Sequence, residues 1–345
     1  MIELRSANAA GVAPEILAAI DAANTGSALA YGGDDLTTHL HDVVRSVFEH
    51  PTARVFPVTS GTAGNSLAIS ALTPPWGAVL CHPSAHIITA EGGATSLFGG
   101  GAVMQGVGGE HALIDPELLR SALEAVRWGD PHESQPSVLS VTVPSDFGTV
   151  YRPDQIKVLA TIARERGLRV HLDGARVANA LVSLGCTPAD LTWRAGVDVL
   201  TLGATKNGAL SAEAIVVFDD EVADQLVYRT KRSGHVTSKM RFQSAQLAAY
   251  LSDGLWLRLA ANSNERMAAL AAELGAIDGV RLIERVDVNM AFVELPDAAI
   301  EAAADAGVCF YRQGPHDIRL VTSWQTTAED VAEATAAFRT AMKAV

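Results

Sequence analysis

Short runs of apolar residues, each bounded by turn-forming residues, recur through the first two thirds of the chain. Most of these runs are continuously apolar, which is typical of strands that are covered on both faces of a sheet. They are RVFPV (54–58), AVLCH (78–82), AVMQGV (102–107), VLSVTV (138–143), RVHLD (169–173), VDVLTL (197–202) and AIVVF (214–218). The pattern predicts seven strands.

Helical patterns lie between many of the predicted strands, as in DPELLRSALEAVR (115–127) and DQIKVLATIARERG (154–167). The second of these stretches ends with Gly167, and glycine commonly ends a helix. Strands that alternate with helices form a mainly parallel sheet with helices packed on its faces. We therefore predict an α/β domain with a mainly parallel sheet.

The pattern changes beyond residue 250. Alanine-rich helices are predicted over 259–275 and 327–343, and short runs typical of strands lie between them: VRLIERV (280–286), NMAFVEL (289–295), VCFYR (308–312) and DIRLVTSW (317–324). We predict a large domain over 46–250 and a smaller α+β domain over 251–345. The N-terminal segment 1–45 is expected to pack with the smaller domain.

Composition narrows the class of protein. Hydrophobic residues make up 48% of the chain, which excludes a mostly disordered protein, and the net charge of −13 argues against nucleic-acid binding. No apolar run reaches the roughly 20 residues of a membrane span. The three cysteines are odd in number and far apart, so no disulfide framework is expected. A cytoplasmic protein without a nucleic-acid or membrane partner fits best.

Several familiar sites fail on their spacing. His82 and His86 are four residues apart, as in metal-binding helices, but Pro83 prevents a regular helix through both of them. The glycine-rich stretch 98–109 has no G-x-G-x-x-G register, and the chain has no G-x-S-x-G nucleophile motif. We therefore predict no metal centre.

Charged residues follow two of the predicted strands at the point where each strand ends. Asp173 ends RVHLD and is followed by Arg176, and Lys206 lies in ATKNGA (204–209), among residues too small to cover it. The carboxyl ends of strands are where α/β sheets place ligand-binding groups. A structural Asp–Arg pair is the alternative for the first strand.

A third stretch, VTSGTAGNSLAI (58–69), follows a strand and begins a helix. The N–H groups at such a helix start form an anion site suited to a phosphate, although an ordinary helix cap is the alternative. A pyridoxal phosphate enzyme needs these parts together: a lysine for a Schiff base, an acid for the ring nitrogen and a phosphate site. Lys206, Asp173 and this helix start provide all three.

The sequence resembles the low-specificity L-threonine aldolases, a group of fold-type-I pyridoxal phosphate enzymes in the β-eliminating lyase family. The resemblance runs nearly end to end, and it implies a mixed, mainly parallel, seven-stranded sheet in the large domain. It is carried by RSAN (5–8), YGGDD (31–35), SGTAGNSLA (60–68), AHIITAEGGA (85–94), HLDGARVANA (171–180), GVDVLTLGATKNG (196–208), SKMRF (238–242) and IRLVTSW (318–324).

The resemblance implies roles for individual residues. Lys206 would bind the cofactor covalently, Asp173 would pair with its ring nitrogen and His86 would stack on its ring. Gly61 and Thr62 would contact the phosphate. Arg176 would contact the cofactor's phenolic oxygen or, with Ser6 and Arg319, the substrate carboxylate.

The resemblance also implies a homo-oligomer, a dimer or tetramer, with active sites shared between subunits. Segment 1–45 would then lie at the subunit interface. Lys231 and Arg241 would reach a neighbour's phosphate, and Tyr31 would face a neighbour's site. A solvated face is the alternative for Lys231.

Two departures from the family pattern concern the chemistry. Ala7 stands where the family commonly has an aspartate, and the loop VPSDFGTVY (143–151) lacks the histidine that many members carry. Ser145 and Asp146 are there instead. The candidates for the general base are therefore His86, Glu91 or a water molecule.

The implied reaction is retro-aldol cleavage of β-hydroxy-α-amino acids, such as L-threonine or L-allo-threonine, to glycine and an aldehyde. Two alternatives use the same groups. One is a phenylserine-type aldolase, and the other is a β-eliminating lyase, because the lysine and the aspartate do not select which bond breaks.

Overall fold

The computed structural model describes residues 1–344. It contains thirteen strands, which are β1 (Ile2–Glu3), β2 (Arg54–Val58), β3 (Gly77–Cys81), β4 (Val103–Gly106), β5 (Gln135–Thr142), β6 (Arg169–Gly174), β7 (Val199–Leu202), β8 (Glu213–Val217), β9 (Arg281–Leu282), β10 (Met290–Glu294), β11 (Val308–Cys309), β12 (Tyr311–Arg312) and β13 (Asp317–Val321). Seven of them, β2 to β8, coincide within a few residues with the seven predicted strands.

Helices separate most of the strands. They are α1 (Pro14–Ala23), α2 (Asp35–Val47), α3 (Gly61–Leu72), α4 (His86–Thr89), α5 (Ala94–Phe98), α6 (Pro116–Glu124), α7 (Pro153–Arg164), α8 (Val177–Leu184), α9 (Pro188–Leu191), α10 (Asp220–Arg232), α11 (Arg241–Leu251), α12 (Leu255–Gly275), α13 (Asp297–Asp305) and α14 (Ala328–Lys343). None of these helices, within residues 1–344, is both long and apolar enough to cross a membrane.

The large sheet has the strand order β2-β8-β7-β6-β5-β3-β4. The strands from β4 to β7 pair in parallel, whereas β8 pairs antiparallel with both β7 and β2. The prediction of a mixed, mainly parallel, seven-stranded sheet is therefore confirmed.

The strands in the middle of this sheet are apolar on both faces because helices cover both faces. Every residue of β7 and β8 is buried. On one face, α3 and α10 pack through residues such as Leu67 and Leu226, and the other face is covered by a larger apolar cluster that includes α7, α8 and α11. This burial on both faces fixes the positions of the strand ends.

A second core lies in the C-terminal part of the chain. The four-stranded sheet β12-β13-β10-β9 is antiparallel, and its apolar face packs on α12, α13 and α14. The N-terminal strand β1 pairs in parallel with β11, and the Ile2 and Leu4 side chains are part of this core. The bounds 1–45, 46–250 and 251–345 stay predictions.

One local prediction was confirmed and another was wrong. Helix α7 ends at Arg164, and Gly167, with a φ of 76°, caps its end as predicted: the Gly167 N–H donates to the Arg164 carbonyl and the Leu168 N–H to the Ala163 carbonyl, both at 3.0 Å. The run VCFYR (308–312) is not one strand, because β11 pairs with β1 whereas β12 pairs with β13. The division of this run depends on pairing with strands that are distant in sequence, and the hydrophobic pattern of the run does not predict that pairing.

Candidate active site

A cavity of about 350 Å³ lies at the edge of the large sheet where the parallel strands end. Segments that follow β2, β3, β5, β6 and β7 line it, together with the start of the antiparallel strand β8 and parts of the N-terminal and C-terminal segments. The lining residues are Ser6, Asn8, Thr59, Ser60, Gly61, Thr62, Asn65, His86, Glu91, Thr142, Pro144, Ser145, Asp146, Asp173, Ala175, Arg176, Thr205, Lys206, Glu213, Met290 and Arg319.

Lys206 lies in a short turn, Thr205–Asn207, immediately beyond β7. Burial lowers the pKa of its amine, and the nearby Arg176 guanidinium lowers it further. A larger fraction of the amine is therefore neutral near pH 7 than for an exposed lysine. A neutral amine is the form that attacks a carbonyl carbon.

The turn that carries Lys206 is held from both sides. Glu213 accepts hydrogen bonds from the backbone N–H groups of Ala204 (2.8 Å) and Thr205 (3.3 Å). The Asn207 side chain donates to the Tyr250 hydroxyl at 2.9 Å and to a backbone carbonyl at 2.8 Å. These bonds fix the lysine relative to the strands.

Gly203 brings the Lys206 segment close to the neighbouring strand end. A Cβ atom at Gly203 would lie 2.2 Å from the backbone oxygen of Ala175, a distance that excludes any side chain. Beyond the lysine, Gly208 has a φ of 107°, which favours glycine. The small residues of ATKNGA therefore allow close backbone packing as well as space in the cavity.

Asp173 is buried at the end of β6 and accepts two hydrogen bonds. The Asn65 side chain donates to one carboxylate oxygen at 3.0 Å, and the Ala175 backbone N–H donates to the other at 3.1 Å. Asn65 also donates to Glu91 at 2.8 Å. One amide group therefore joins the two buried carboxylates.

The His86 ring nitrogen Nδ1 lies 2.9 Å from the Glu91 carboxylate, whose side chain is fully buried. This hydrogen bond raises the pKa of His86, and burial of the ring opposes the increase. The result is a continuous hydrogen-bonded series, Asp173–Asn65–Glu91–His86, along one wall of the cavity. It fixes the orientation of the imidazole ring.

Two arginines face the cavity with unused hydrogen-bonding capacity. Within the described residues, the Nε atoms of Arg176 and Arg319 are buried and have no hydrogen-bond partner. Burial and the proximity of Arg319 lower the pKa of Arg176 to about 10. Two neighbouring guanidinium groups that repel each other form a site suited to an anion such as a carboxylate.

The start of α3 forms another part of the cavity wall. Ser60 caps this helix by accepting a hydrogen bond from the Ala63 N–H at 3.2 Å, and Gly61 has open space where a side chain would lie. Thr62 follows it in the first turn. A helix N-terminus without a bulky side chain is suited to an anionic group such as a phosphate.

The structure brings together, in one chain, most of the predicted site residues. They are Ser6, Gly61, Thr62, His86, Asp173, Arg176, Lys206 and Arg319. Ser6 also caps a short turn by accepting a hydrogen bond from the Asn8 N–H.

Tyr31, Lys231 and Arg241 do not line this cavity. Tyr31 is 57% exposed, and the Lys231 amine lies 4.5 Å from the centre of its ring. Arg241 donates to the backbone carbonyl of Gly26. Their roles in the site of a neighbouring subunit stay predictions.

Three site residues were not assigned roles from the sequence, namely Asn65, Glu213 and Asp146. Asn65 stands within a quoted motif, but its partners are 26 and 108 residues away in the chain. Glu213 gave a usable signal, because a glutamate at the start of the apolar run EAIVV is unusual. Asp146 was noted only as a replacement for a histidine.

Replacing Asn65 with alanine is expected to lower the free energy of unfolding by about 1–3 kcal/mol, because two buried carboxylates lose a donor. Denaturant unfolding measures this change, and Asn24→Ala at an exposed helix end provides the matched control. Equal stability of the two variants would show that the amide does not stabilise the carboxylate pair.

Comparison with known proteins adds an independent line of support. The model of the beta-eliminating lyase family matches residues 3–298. The low specificity L-threonine aldolase of Pseudomonas sp. (strain NCIMB 10558) is 39% identical over 99% of this chain and 98% of its own length. The low specificity L-threonine aldolase of Pseudomonas aeruginosa is 41% identical over 96% of this chain and 95% of its own length. The solved threonine aldolase of Leishmania major has a TM-score of 0.91 and 27% identity, covering 100% of this chain and 99% of that one.

Proposed function

The chain belongs to the beta-eliminating lyase family, and from this premise we propose that it is a pyridoxal phosphate-dependent L-threonine aldolase. It is a lyase that cleaves β-hydroxy-α-amino acids such as threonine to glycine and an aldehyde. The observation that carries the assignment is the cavity that Lys206, Asp173, Arg176 and Arg319 line together.

The groups in the cavity fit pyridoxal phosphate. Lys206 offers an amine whose pKa is lowered, Asp173 offers a buried carboxylate for a protonated ring nitrogen, and the start of α3 offers an anion site for the phosphate. When bound, this cofactor accepts the electron pair of the bond that breaks at the substrate's α-carbon.

The protein's own residues orient the substrate. Arg176 and Arg319 bind the α-carboxylate through guanidinium groups that have unused donors, and Ser6 lies beside them. Binding of the carboxylate at both arginines limits the orientations of the substrate, so that the Cα–Cβ bond is held in an orientation that favours its cleavage. His86, whose ring is held by Glu91, would stack on the cofactor ring and exclude water from that side.

Replacing Arg319 with lysine is expected to raise KM for L-threonine about 10-fold to 100-fold, with a smaller change in kcat, because a charge-assisted hydrogen bond is lost. Steady-state kinetics measure the two constants. Arg120→Lys on the exposed face of α6 serves as the control. An unchanged KM would remove Arg319 from the carboxylate site.

The assignment is tested with three substrates: L-threonine, L-allo-threonine and L-phenylserine. Purified protein supplied with pyridoxal phosphate is expected to release an aldehyde and glycine from at least one of them. The ratio of the three rates gives the stereochemical preference and separates a threonine aldolase from a phenylserine-type aldolase. Absence of aldehyde from all three substrates would overturn the assignment.

We also propose a cytoplasmic homo-oligomer, a dimer or tetramer with shared active sites. In this arrangement Lys231 and Arg241 bind the phosphate in a neighbour's site and Tyr31 faces its substrate. The exposure of Tyr31 supports this proposal, because an exposed aromatic side chain is available for a subunit contact. Sedimentation of the purified protein tests the assembly.

A further inference from the structure

Four carboxylates line the cavity, and three of them are occupied by structural hydrogen bonds. The Oε1 atom of Glu91 accepts from Asn65 and from the His86 ring. Its Oε2 atom has no partner within the described residues, but the side chain is fully buried. Both oxygens of Asp173 accept hydrogen bonds, and Glu213 holds the backbone of the lysine turn. These three are therefore poorly placed to exchange a proton with a substrate.

Asp146 differs from these three because it is only partly buried, whereas they are buried. Its Oδ2 atom accepts the backbone N–H of His86 at 3.1 Å, and within residues 1–344 no donor bonds to its Oδ1 atom. The carboxylate lines the cavity with Arg176 and Arg319. Its negative charge opposes the lowering of the pKa of both guanidinium groups. A small amino acid held by these arginines would therefore have its side chain within the same small cavity as Asp146.

Hydrogen bonds hold the loop that carries Asp146. The hydroxyl groups of Ser145 and Thr149 lie 2.6 Å apart, and the Thr149 hydroxyl donates to the backbone carbonyl of His111 at 2.5 Å. The Ser145 N–H also donates to the Thr149 carbonyl at 2.8 Å. A carboxylate on such a tight loop has a defined position, as an acid–base group needs.

We propose that Asp146 is the base that removes the β-hydroxyl proton of the substrate, an inference that rests on the proposed aldolase function. The O–H bond breaks and its proton moves to Asp146. The electron pair left on oxygen forms the C=O bond of the aldehyde as the Cα–Cβ bond breaks. The pair from that bond, for which the bound cofactor would be the acceptor, forms the new C–H bond when the α-carbon takes up a proton and the product becomes glycine.

The charge environment of Asp146 agrees with this role. Burial and the neighbouring Asp173 raise the pKa of Asp146 to about 6, although His86 and Arg176 act in the opposite direction. The carboxylate is thus protonated below this pH and ionised, as a base must be, above it. The titratable and charged groups that face it are Cys81, His86, Asp173, Arg176, Lys206 and Arg319.

The decisive experiment compares two reactions in the Asp146→Asn variant. Asparagine keeps an oxygen that can accept the His86 N–H, but it cannot take up the hydroxyl proton. Cleavage of L-threonine is expected to fall about 100-fold to 10,000-fold. Exchange of the glycine α-proton in D₂O, measured by NMR, involves no β-hydroxyl group and is expected to change far less.

Two further measurements complete the test. The dissociation constant for glycine, measured by calorimetry, is expected to stay within about threefold of the wild-type value, a shift of less than one kcal/mol. The acidic limb of the kcat/KM profile, near pH 6 in the wild-type enzyme, is expected to disappear in Asp146→Asn. Asp305→Asn on the exposed surface of α13 controls for loss of a surface carboxylate.

Unchanged threonine cleavage by Asp146→Asn would overturn the proposal. Equal losses of cleavage and exchange with intact glycine binding would also overturn it. If the Asp146→Asn variant fails to bind glycine, the Asp146→Glu variant is measured instead. Retained cleavage with a shifted acidic limb of the kcat/KM profile would support the proposal, and an unshifted acidic limb would contradict it. Absence of cleavage by the wild-type enzyme would instead refute the aldolase function itself.

Discussion

The Lys206→Ala variant is expected to lose at least about a thousandfold of its threonine-cleaving activity, because the side chain that binds the cofactor covalently is gone. Glu213 and Asn207 hold the turn that carries this buried lysine. Among the described residues, no other lysine lines the cavity and could replace it. Coupled measurement of acetaldehyde release gives the rate. Lys157→Ala, at an exposed position of α7, is the matched control.

A chemical measurement on the same pair of variants separates loss of chemistry from loss of folding. Borohydride reduction followed by peptide mapping is expected to fix the cofactor on the peptide that contains Lys206 in the wild type and in Lys157→Ala. No labelled peptide is expected for Lys206→Ala. Labelling of a different lysine, or near-normal cleavage by Lys206→Ala, would show that the assigned residue is wrong.

Replacing Asp173 with asparagine is expected to lower kcat about 100-fold to 1,000-fold. The substitution keeps the size of the side chain and an oxygen for the Ala175 N–H, but it removes the negative charge opposite the ring nitrogen. Without that charge the ring is less readily protonated and accepts electrons less well. Stopped-flow measurement of the cleavage rate at saturating substrate tests the change.

One outcome for Asp173→Asn would contradict the catalytic role proposed for Asp173. A variant with an unchanged kcat but reduced stability would give Asp173 a structural role only, as a partner of Asn65. Asp305→Asn, measured in parallel, shows how much a change of net charge alone contributes. Cofactor content, measured after dialysis, shows whether the variant still binds the cofactor.

The sequence predicted the parts of the fold that depend on local pattern. The strands of the large sheet are continuous apolar runs because both faces are covered, and their bounds agree with the structure within a few residues. The smaller elements were less predictable. The separation of β11 from β12, for example, depends on pairing with β1 near the other end of the chain.

The residues of the candidate site also differ in how well the sequence predicts their roles. Lys206 and Asp173 were predictable because charged residues that end apolar strands stand out against their neighbours. The series that joins Asp173, Asn65, Glu91 and His86 was not, because it depends on distances between side chains from different elements. The position of Asp146 is likewise distinguished only when the burial and the partners of the other three carboxylates are known.

The product balance from L-threonine tests the central claim most directly. Purified protein with pyridoxal phosphate is expected to form glycine and acetaldehyde in equal amounts, with no ammonia, since the Cα–Cβ bond is the one that breaks. Glycine is quantified by amino-acid analysis, and the aldehyde by a coupled reductase. Release of ammonia and a keto acid in place of glycine and acetaldehyde would contradict the account and identify a β-eliminating lyase instead.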